Sequence, residues 1–542
     1  MLRQRNGLFT QGVLLVITAM LVAAISFIKE IIFAHFFGTS YVSDAYTMAI
    51  QVPEVIFAIV WETISAVVVP IYIENLNSGG KKAANKFFSN TLTIICLLSV
   101  LVIIIGEIFG DFILRIFFPG SNAETLNLAT SLMRWIFPML FFEGIIRFVT
   151  GILNVYHEFA IPKILSSVRN IGIIVFLLLF TQRFGIQAAV IGLLTGIAIE
   201  CVLCVITTNK YEKYTPVVDF KDQSLKKILY LTLPLLLGIG AREINTIADK
   251  IVASFFEAGS ISSLNYASKL SSMIEVCILG NVAVLMYPQL ARLSAEGKKE
   301  QLSLEYSKSV HILILLSIPI LLGGCFLREE IVSLIFERGA FNKESVSVVA
   351  NLFAIYLLCA MFTAINGLSV KLFTACNDTK TPTYNAVFGV IINICLNVVL
   401  SYVFGVIGLA IATLLSSIAL CLRLYWLSRK KIFKFPIKPT LGILLKSIAA
   451  GMMMCLVLVI IKFFIVDDST FVSVLSKIAY TTLCVILGAC VYCISLTAMR
   501  VNEITDILKN RNEERKVIWL KFLLSCLPIM LQITLNKAFD LL

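Results

Sequence analysis

The chain has 542 residues, of which 59% are hydrophobic and 14% charged, and a formal net charge of +12. A soluble domain carries about 25% charged residues, so a chain this apolar cannot cover itself with polar surface and reads as a polytopic membrane protein. The basic excess does not point to nucleic acid, because most Lys and Arg fall between the apolar runs, where the positive-inside rule places them.

Composition also narrows the chemistry. There are 14 Cys and 3 His. The pairs Cys201–Cys204 and Cys490–Cys493 have C-x-x-C spacing but sit in apolar runs with no His nearby, so they read as small buried hydrophobes. The sequence has no Walker loop, no H-E-x-x-H and no G-x-S-x-G. No soluble stretch is large enough to hold an active site. A non-enzymatic protein without a resident cofactor is expected. Arg3 and Arg5 precede an apolar segment too long for a signal h-region.

A membrane-spanning helix needs about 20 apolar residues. Fourteen intervals qualify: 10–37, 43–75, 88–109, 127–156, 161–181, 186–207, 228–256, 260–291, 308–327, 345–375, 382–403, 406–428, 441–466 and 473–497. Basic clusters follow the even-numbered ones, at Lys81–Lys82, Lys226–Lys227, Lys298–Lys299, Arg429–Lys431 and Arg515–Lys516. That pattern predicts a cytoplasmic N-terminus. The acidic pair Asp467–Asp468 falls on the opposite side. Val517–Leu535 is apolar but holds Lys521 and Pro528, and is expected to lie in the interface or form a fifteenth span.

An internal repeat is visible at an offset of about 220 residues. Phe36-Phe37 recurs as Phe255-Phe256, Pro70 with Gly80-Lys81-Lys82 as Pro288 with Gly297-Lys298-Lys299, Pro162 as Pro382, and Phe184-Gly185 as Phe404-Gly405. Six spans separate the copies, so both have the same orientation. A parallel repeat of this kind places substrate between its halves. The expected organisation is a six-helix half over 1–207, a second over 208–430, two extra helices over 431–499, and a tail over 500–542.

Charged residues inside the spans mark the expected site, because such groups belong in a protein interior or a water-filled cavity. From Ser26 to Glu62, Lys29, Glu30, Asp44, Glu54 and Glu62 lie in or beside two apolar runs. Asp44, Gln51 and Glu62 share one face at 100° per residue, with Pro53 expected to interrupt the helix. In span seven Arg242, Asn245 and Asp249 share a face, with Lys250 next to them; in span eight Asn265, Lys269 and Ser272 do. A cavity lined by Lys29, Arg242, Lys250 and Lys269 is cationic and suits a phosphate or pyrophosphate. The alternative is that these residues only neutralise local partners. Asp249, Asn393, Asn397 and Thr413 could offer oxygens to a hard cation, or the amides could simply bond between helices.

The stretches KEIIFAHFFGTSYVSDAY (29–46) and INTIADKIVASFFEAGSISSLNYASKL (244–270), with the Pro70 and Pro288 helix ends and their GKK loops, carry a resemblance over roughly residues 10–500. The chain resembles the MurJ (MviN) lipid II flippases of the multidrug/oligosaccharidyl-lipid/polysaccharide exporter superfamily. The resemblance implies fourteen helices and two six-helix halves around a V-shaped central cavity, with helices thirteen and fourteen forming a groove for the lipid tail. It implies alternating-access transfer of undecaprenyl-pyrophosphate-linked peptidoglycan precursor across the bacterial cytoplasmic membrane. Lys29 and Lys269 then stand where the family uses Arg to hold the pyrophosphate, and Asp44 and Glu62 match its acidic positions in helix two. A Na+ site on helices seven, eleven and twelve would fall on Asp249, Asn393, Asn397 and Thr413. Two family arginines are replaced, by Ala23 and Phe57, and Arg242 occupies the repeat-equivalent of Ala23. The departures keep open a flippase for another undecaprenyl-linked glycan; a drug/cation antiporter would want an acidic cavity instead. The expected partners are the lipid-linked glycan and membrane lipids, and the expected state is a monomer.

Overall fold

A computed structural model describes residues 2–433, 437–465 and 474–501. The expected helix at Val517–Leu535 and the acidic pair Asp467–Asp468 lie outside the described residues. All regular structure among the described residues is helical. Two compact units form, one running up to Ser262 and the other from Ser263 on.

The first unit contains α1 (Leu2–Phe37), α2 (Tyr41–Phe57), α3 (Thr63–Phe117), α4 (Ala123–Ile136), α5 (Met139–Val155), α6 (Ala160–Leu165), α7 (Ser167–Phe184), α8 (Gln187–Thr208) and α9 (Gln223–Ala253). α10 (Ser260–Ile274) begins at its end. The second contains α11 (Gly280–Ala295), α12 (Lys299–Phe326), α13 (Arg328–Phe336), α14 (Lys343–Ala375), α15 (Lys380–Phe404), α16 (Val406–Lys431), α17 (Ile437–Ile465) and α18 (Val474–Ala498). Within the described residues, each of the fourteen apolar intervals is mostly helical. By length and composition, nine helices among the described residues are fit to cross a membrane, or ten if α4 and α5, bent by 46°, count as one span. The first of the nine runs from Tyr41 to Phe117 and covers two predicted intervals. It is broken at Gly80, whose φ of 66° is non-helical.

Burial runs opposite to a soluble protein. Along α3, Leu101, Ile105, Ile108 and Phe112 form an exposed apolar stripe at helical spacing, the face a lipid tail would cover. The opposite side packs inward, with Phe88 stacked on Phe148 of α5 at 5.4 Å and Trp61 buried beside them. In the second unit Tyr306, Leu313, Leu368 and Leu372 centre a core to which α17 and α18 contribute Met454, Leu458 and Leu496.

The duplication is legible in the backbone. Gly185 and Gly405 end α7 and α15 with nearly the same angles (φ 55°, ψ −134° and φ 60°, ψ −140°). His157 and Asn377 both have positive φ, as do Gly80 and Gly297. Asn122 caps α4 through Thr125, and Asn342 caps α14 through Ser345. A π-helical stretch lies at Ala58–Glu62 and again at Glu275–Leu279. These landmarks repeat at offsets of 217 to 220, computed from the residue numbers. The second span is therefore not broken at Pro53, as expected from sequence. α2 runs through it, and the irregularity falls five residues later in the π stretch.

Candidate functional site

α1 delivers Lys29 and Glu30 at the close of a long apolar helix. The Lys29 ammonium donates to the Glu30 carboxylate at 2.6 Å, and Glu30 is buried. Lys29 is thus neutralised by its neighbour in this conformation.

Asp44 lies in the first turn of α2, whose N-cap is Ser40. Its carboxylate is buried and both oxygens are engaged: Gly259 N–H donates to Oδ2 at 2.6 Å and Ser262 N–H to Oδ1 at 2.7 Å. These are the orphan donors that open α10, so an anion there also meets the positive end of a helix. Gly259 makes the approach possible. Its φ is +95°, and a Cβ would stand 2.6 Å from the Thr39 carbonyl oxygen. From the resemblance, Asp44 is expected among the substrate-binding residues, touching the headgroup or neutralising the cations between cycles. In this conformation it is a clamp on the start of α10, with no oxygen to spare.

Gln51 is buried and accepts a hydrogen bond from the Lys250 ammonium of α9. Glu62 does not share their face. It closes the π stretch, and one extra residue in a turn rotates everything after it by about 100° relative to the α period. Glu62 is half-buried and engaged with its surroundings. Arg242 lies in α9, but its side chain is outside the described residues. Asp249, also in α9, is half-buried and engaged. Lys269 of α10 is exposed.

In the second unit α15 and α16 bring together Asn393, Asn397, Thr413 and Ser416. Asn393 donates to Thr413 at 3.5 Å and to Ser416 at 3.4 Å, and Asn397 donates to Asn393 at 3.1 Å. These neutral oxygens suit a hard monovalent cation, while Asp249, the one acid of the expected set, belongs to the first unit.

Two clusters were not assembled by sequence reasoning. Arg169 of α7 donates to Glu143 of α5 and, through Nε and Nη2, to both oxygens of Glu200 of α8 at 2.9 and 3.1 Å. Glu143 and Glu200 are buried. α8 can come this close because Gly196 faces α7; a Cβ there would lie 2.6 Å from the Arg169 Cα. A charged residue inside span five was the available signal. The second cluster joins Tyr72 and Tyr156 to the Glu212 carboxylate at 2.6 and 2.9 Å, with Lys81 at 3.6 Å. It pins the segment after α8 to α3 and α5. Only the geometry reveals it, since Glu212 sits outside every apolar interval.

A duplicated six-span plan, a lipid-facing apolar exterior and charge held inside the spans define a polytopic membrane transporter fold. The fold is similar to that of an inward-facing multidrug resistance MATE family transporter of the MOP superfamily, with a TM-score of 0.65 over 77% of this chain and 94% of that one; at 16% identity the likeness concerns the fold alone. Residues 33–481 match the family model described as lipid II flippase MurJ, and the chain belongs to that family. A solved structure of a lipid II flippase MurJ in an inward closed conformation is 26% identical, covers 91% of this chain and 100% of that chain, and gives a TM-score of 0.79. A probable lipid II flippase MurJ of Thermotoga maritima is 29% identical over 448 residues, 81% of this chain and 91% of the relative. One from Rickettsia prowazekii is 26% identical over 412 residues, 75% of this chain and 81% of the relative.

Proposed function

We propose that this protein moves lipid II, the undecaprenyl-pyrophosphate-linked peptidoglycan precursor, from the inner to the outer leaflet of the bacterial cytoplasmic membrane. The observation that carries this reading is the family match over residues 33–481, supported by a fold match that spans the whole of a known lipid II flippase. The protein works by alternating access and catalyses no covalent chemistry. It acts as a monomer with its N-terminus in the cytoplasm. The six-helix halves over 1–207 and 208–430 are the moving parts, and the helices of 431–499 receive the lipid tail.

Lys269, Lys29 and Arg242 supply positive charge to the pyrophosphate. Lys29 must leave Glu30 to do so, so that pair is a resting contact. Arg242 restores from the second half the charge absent at Ala23. Asp44 and Lys250 act on the helices rather than on the headgroup. Transport draws on the membrane potential or an ion gradient, and Asp249, Asn393, Asn397 and Thr413 hold the coupling Na+.

The test is replacement of a bacterium's only lipid II flippase by this chain, scoring outer-leaflet lipid II together with survival. Rescue by the parent chain and its loss in Lys269→Ala at equal protein level are expected. A well-expressed, membrane-inserted chain that exposes no lipid II would overturn the assignment.

A further inference from the structure

We propose that Arg147 is an anion-binding residue of the transport site, which grips the phosphate groups of the lipid-linked substrate; this rests on the lipid II reading above. Arg147 lies in α5 within the fourth span and is half-buried. A guanidinium at that depth needs a partner or a wet cavity. Its carbon stands 4.8 Å from the centroid of the Phe57 ring. Stacking of this kind fixes the plane of the guanidinium and leaves its N–H donors unused.

Arg169 holds the nearby acids. It bonds both oxygens of Glu200 on α8 and one oxygen of Glu143, one turn before Arg147 on the same helix, and leaves the second Glu143 oxygen without a hydrogen bond. Among the described residues the Arg147 side chain forms no ion pair and donates no hydrogen bond. Glu143, Glu200, Arg169 and Arg147 are two acids and two bases, formally neutral together. The membrane interior can therefore hold Arg147 while its fork of donors stays open, and a phosphate matches that fork in bidentate geometry. The second unit also places a cation over an aromatic ring in its fourth span, at other positions: the repeat-equivalents of Arg147 and Phe57 there are Gly367 and Ile274. Lys371 of the fourth span in that half stands 5.3 Å from the Tyr287 ring and is exposed. Its repeat-equivalent, 220 residues earlier, is Gly151, one helical turn beyond Arg147.

The test measures binding of undecaprenyl pyrophosphate and of undecaprenol, which has the same tail without phosphate, to the full chain in lipid nanodiscs. The parent chain should prefer the pyrophosphate. Arg147→Ala should cut that preference at least tenfold while leaving undecaprenol binding unchanged, and Arg147→Lys should fall between. Phe57→Arg added to Arg147→Ala should restore the preference, because residue 57 reaches the same volume. A parent chain without preference would overturn the lipid II reading and this proposal together. An undiminished preference in Arg147→Ala would overturn the proposal alone. Loss of undecaprenol binding and thermal stability in Arg147→Ala, without recovery in the double variant, would assign Arg147 a structural role and also overturn it.

Discussion

Arg169→Met should be among the most damaging single substitutions in the first unit. Arg169 makes three charge-assisted hydrogen bonds, to Glu143 and to both oxygens of Glu200. Hydrogen bonds between membrane helices average about 0.6 kcal/mol, so three would account for only ~2 kcal/mol. The larger effect is what remains behind. Glu143 and Glu200 keep side-chain exposures of 4% and 1%, and stripping the partner from a buried ion pair costs about 3–5 kcal/mol. Uncompensated charge therefore decides the outcome. Adding Glu143→Gln and Glu200→Gln should recover part of the loss, since it removes both buried carboxylates and leaves only the half-buried Arg147 without a counter-charge. Denaturation of the purified protein in detergent, followed by tryptophan fluorescence, is a suitable assay because Trp61 packs beside Gly144, one residue from Glu143. A loss below about 1 kcal/mol in Arg169→Met, or no recovery in the triple variant, would refute the charge argument.

Gly259→Ala should destabilise the start of α10, because a positive φ costs a non-glycine residue about 1–3 kcal/mol and the new Cβ would meet the Thr39 carbonyl oxygen at 2.6 Å. A melting temperature equal to that of the parent would contradict the close approach. Lys477 of α18 donates to Glu337 after α13 at 3.0 Å. Burial pushes the Glu337 carboxyl up, but its hydrogen bonds from Ser333 and Lys477 outweigh that and hold it below the usual Glu range. A lowered folded-state pKa gives stability that is present above the unfolded value and lost as pH falls through the folded one. Protection of amides at the end of α13, relative to their intrinsic exchange rate, should thus fall below about pH 4, and Glu337→Gln should remove that pH dependence. An unchanged acid response in Glu337→Gln would assign the effect to another group.

Much of this was legible in the chain because its dominant signals are local. Twenty-residue apolar runs report spans directly, and Pro70/Pro288 with Phe184-Gly185/Phe404-Gly405 report the duplication without any knowledge of packing. Individual roles were less legible. Asp44 and Lys29 looked alike as charges in an apolar stretch, yet one caps α10 and the other pairs with the residue next to it. The partners of Asp44 do not follow from helical spacing, because Gly259 and Ser262 lie more than 200 residues beyond it, whereas the Lys29–Glu30 pair is the local neutralisation the sequence already offered as an alternative. The shared face of Asp44, Gln51 and Glu62 failed for a different reason. The 100° rule holds only while the helix stays α, and the change of pitch at Ala58 carries no compositional mark. Arg169 lies well inside span five, but its partners Glu143 and Glu200 belong to other helices, 26 and 31 residues away, so no local pattern joins them.

The paired π stretches also say which part of the duplicated plan is common to the two copies. They lie 217 residues apart in copies that repeat at 217 to 220, and the left-handed residues His157 and Asn377 recur with them. The side chains on that backbone differ: one half bears Arg147 over Phe57 and the other, at other positions, Lys371 over Tyr287. What the two copies have in common is the shape of the helices, and their chemistry differs on top of it.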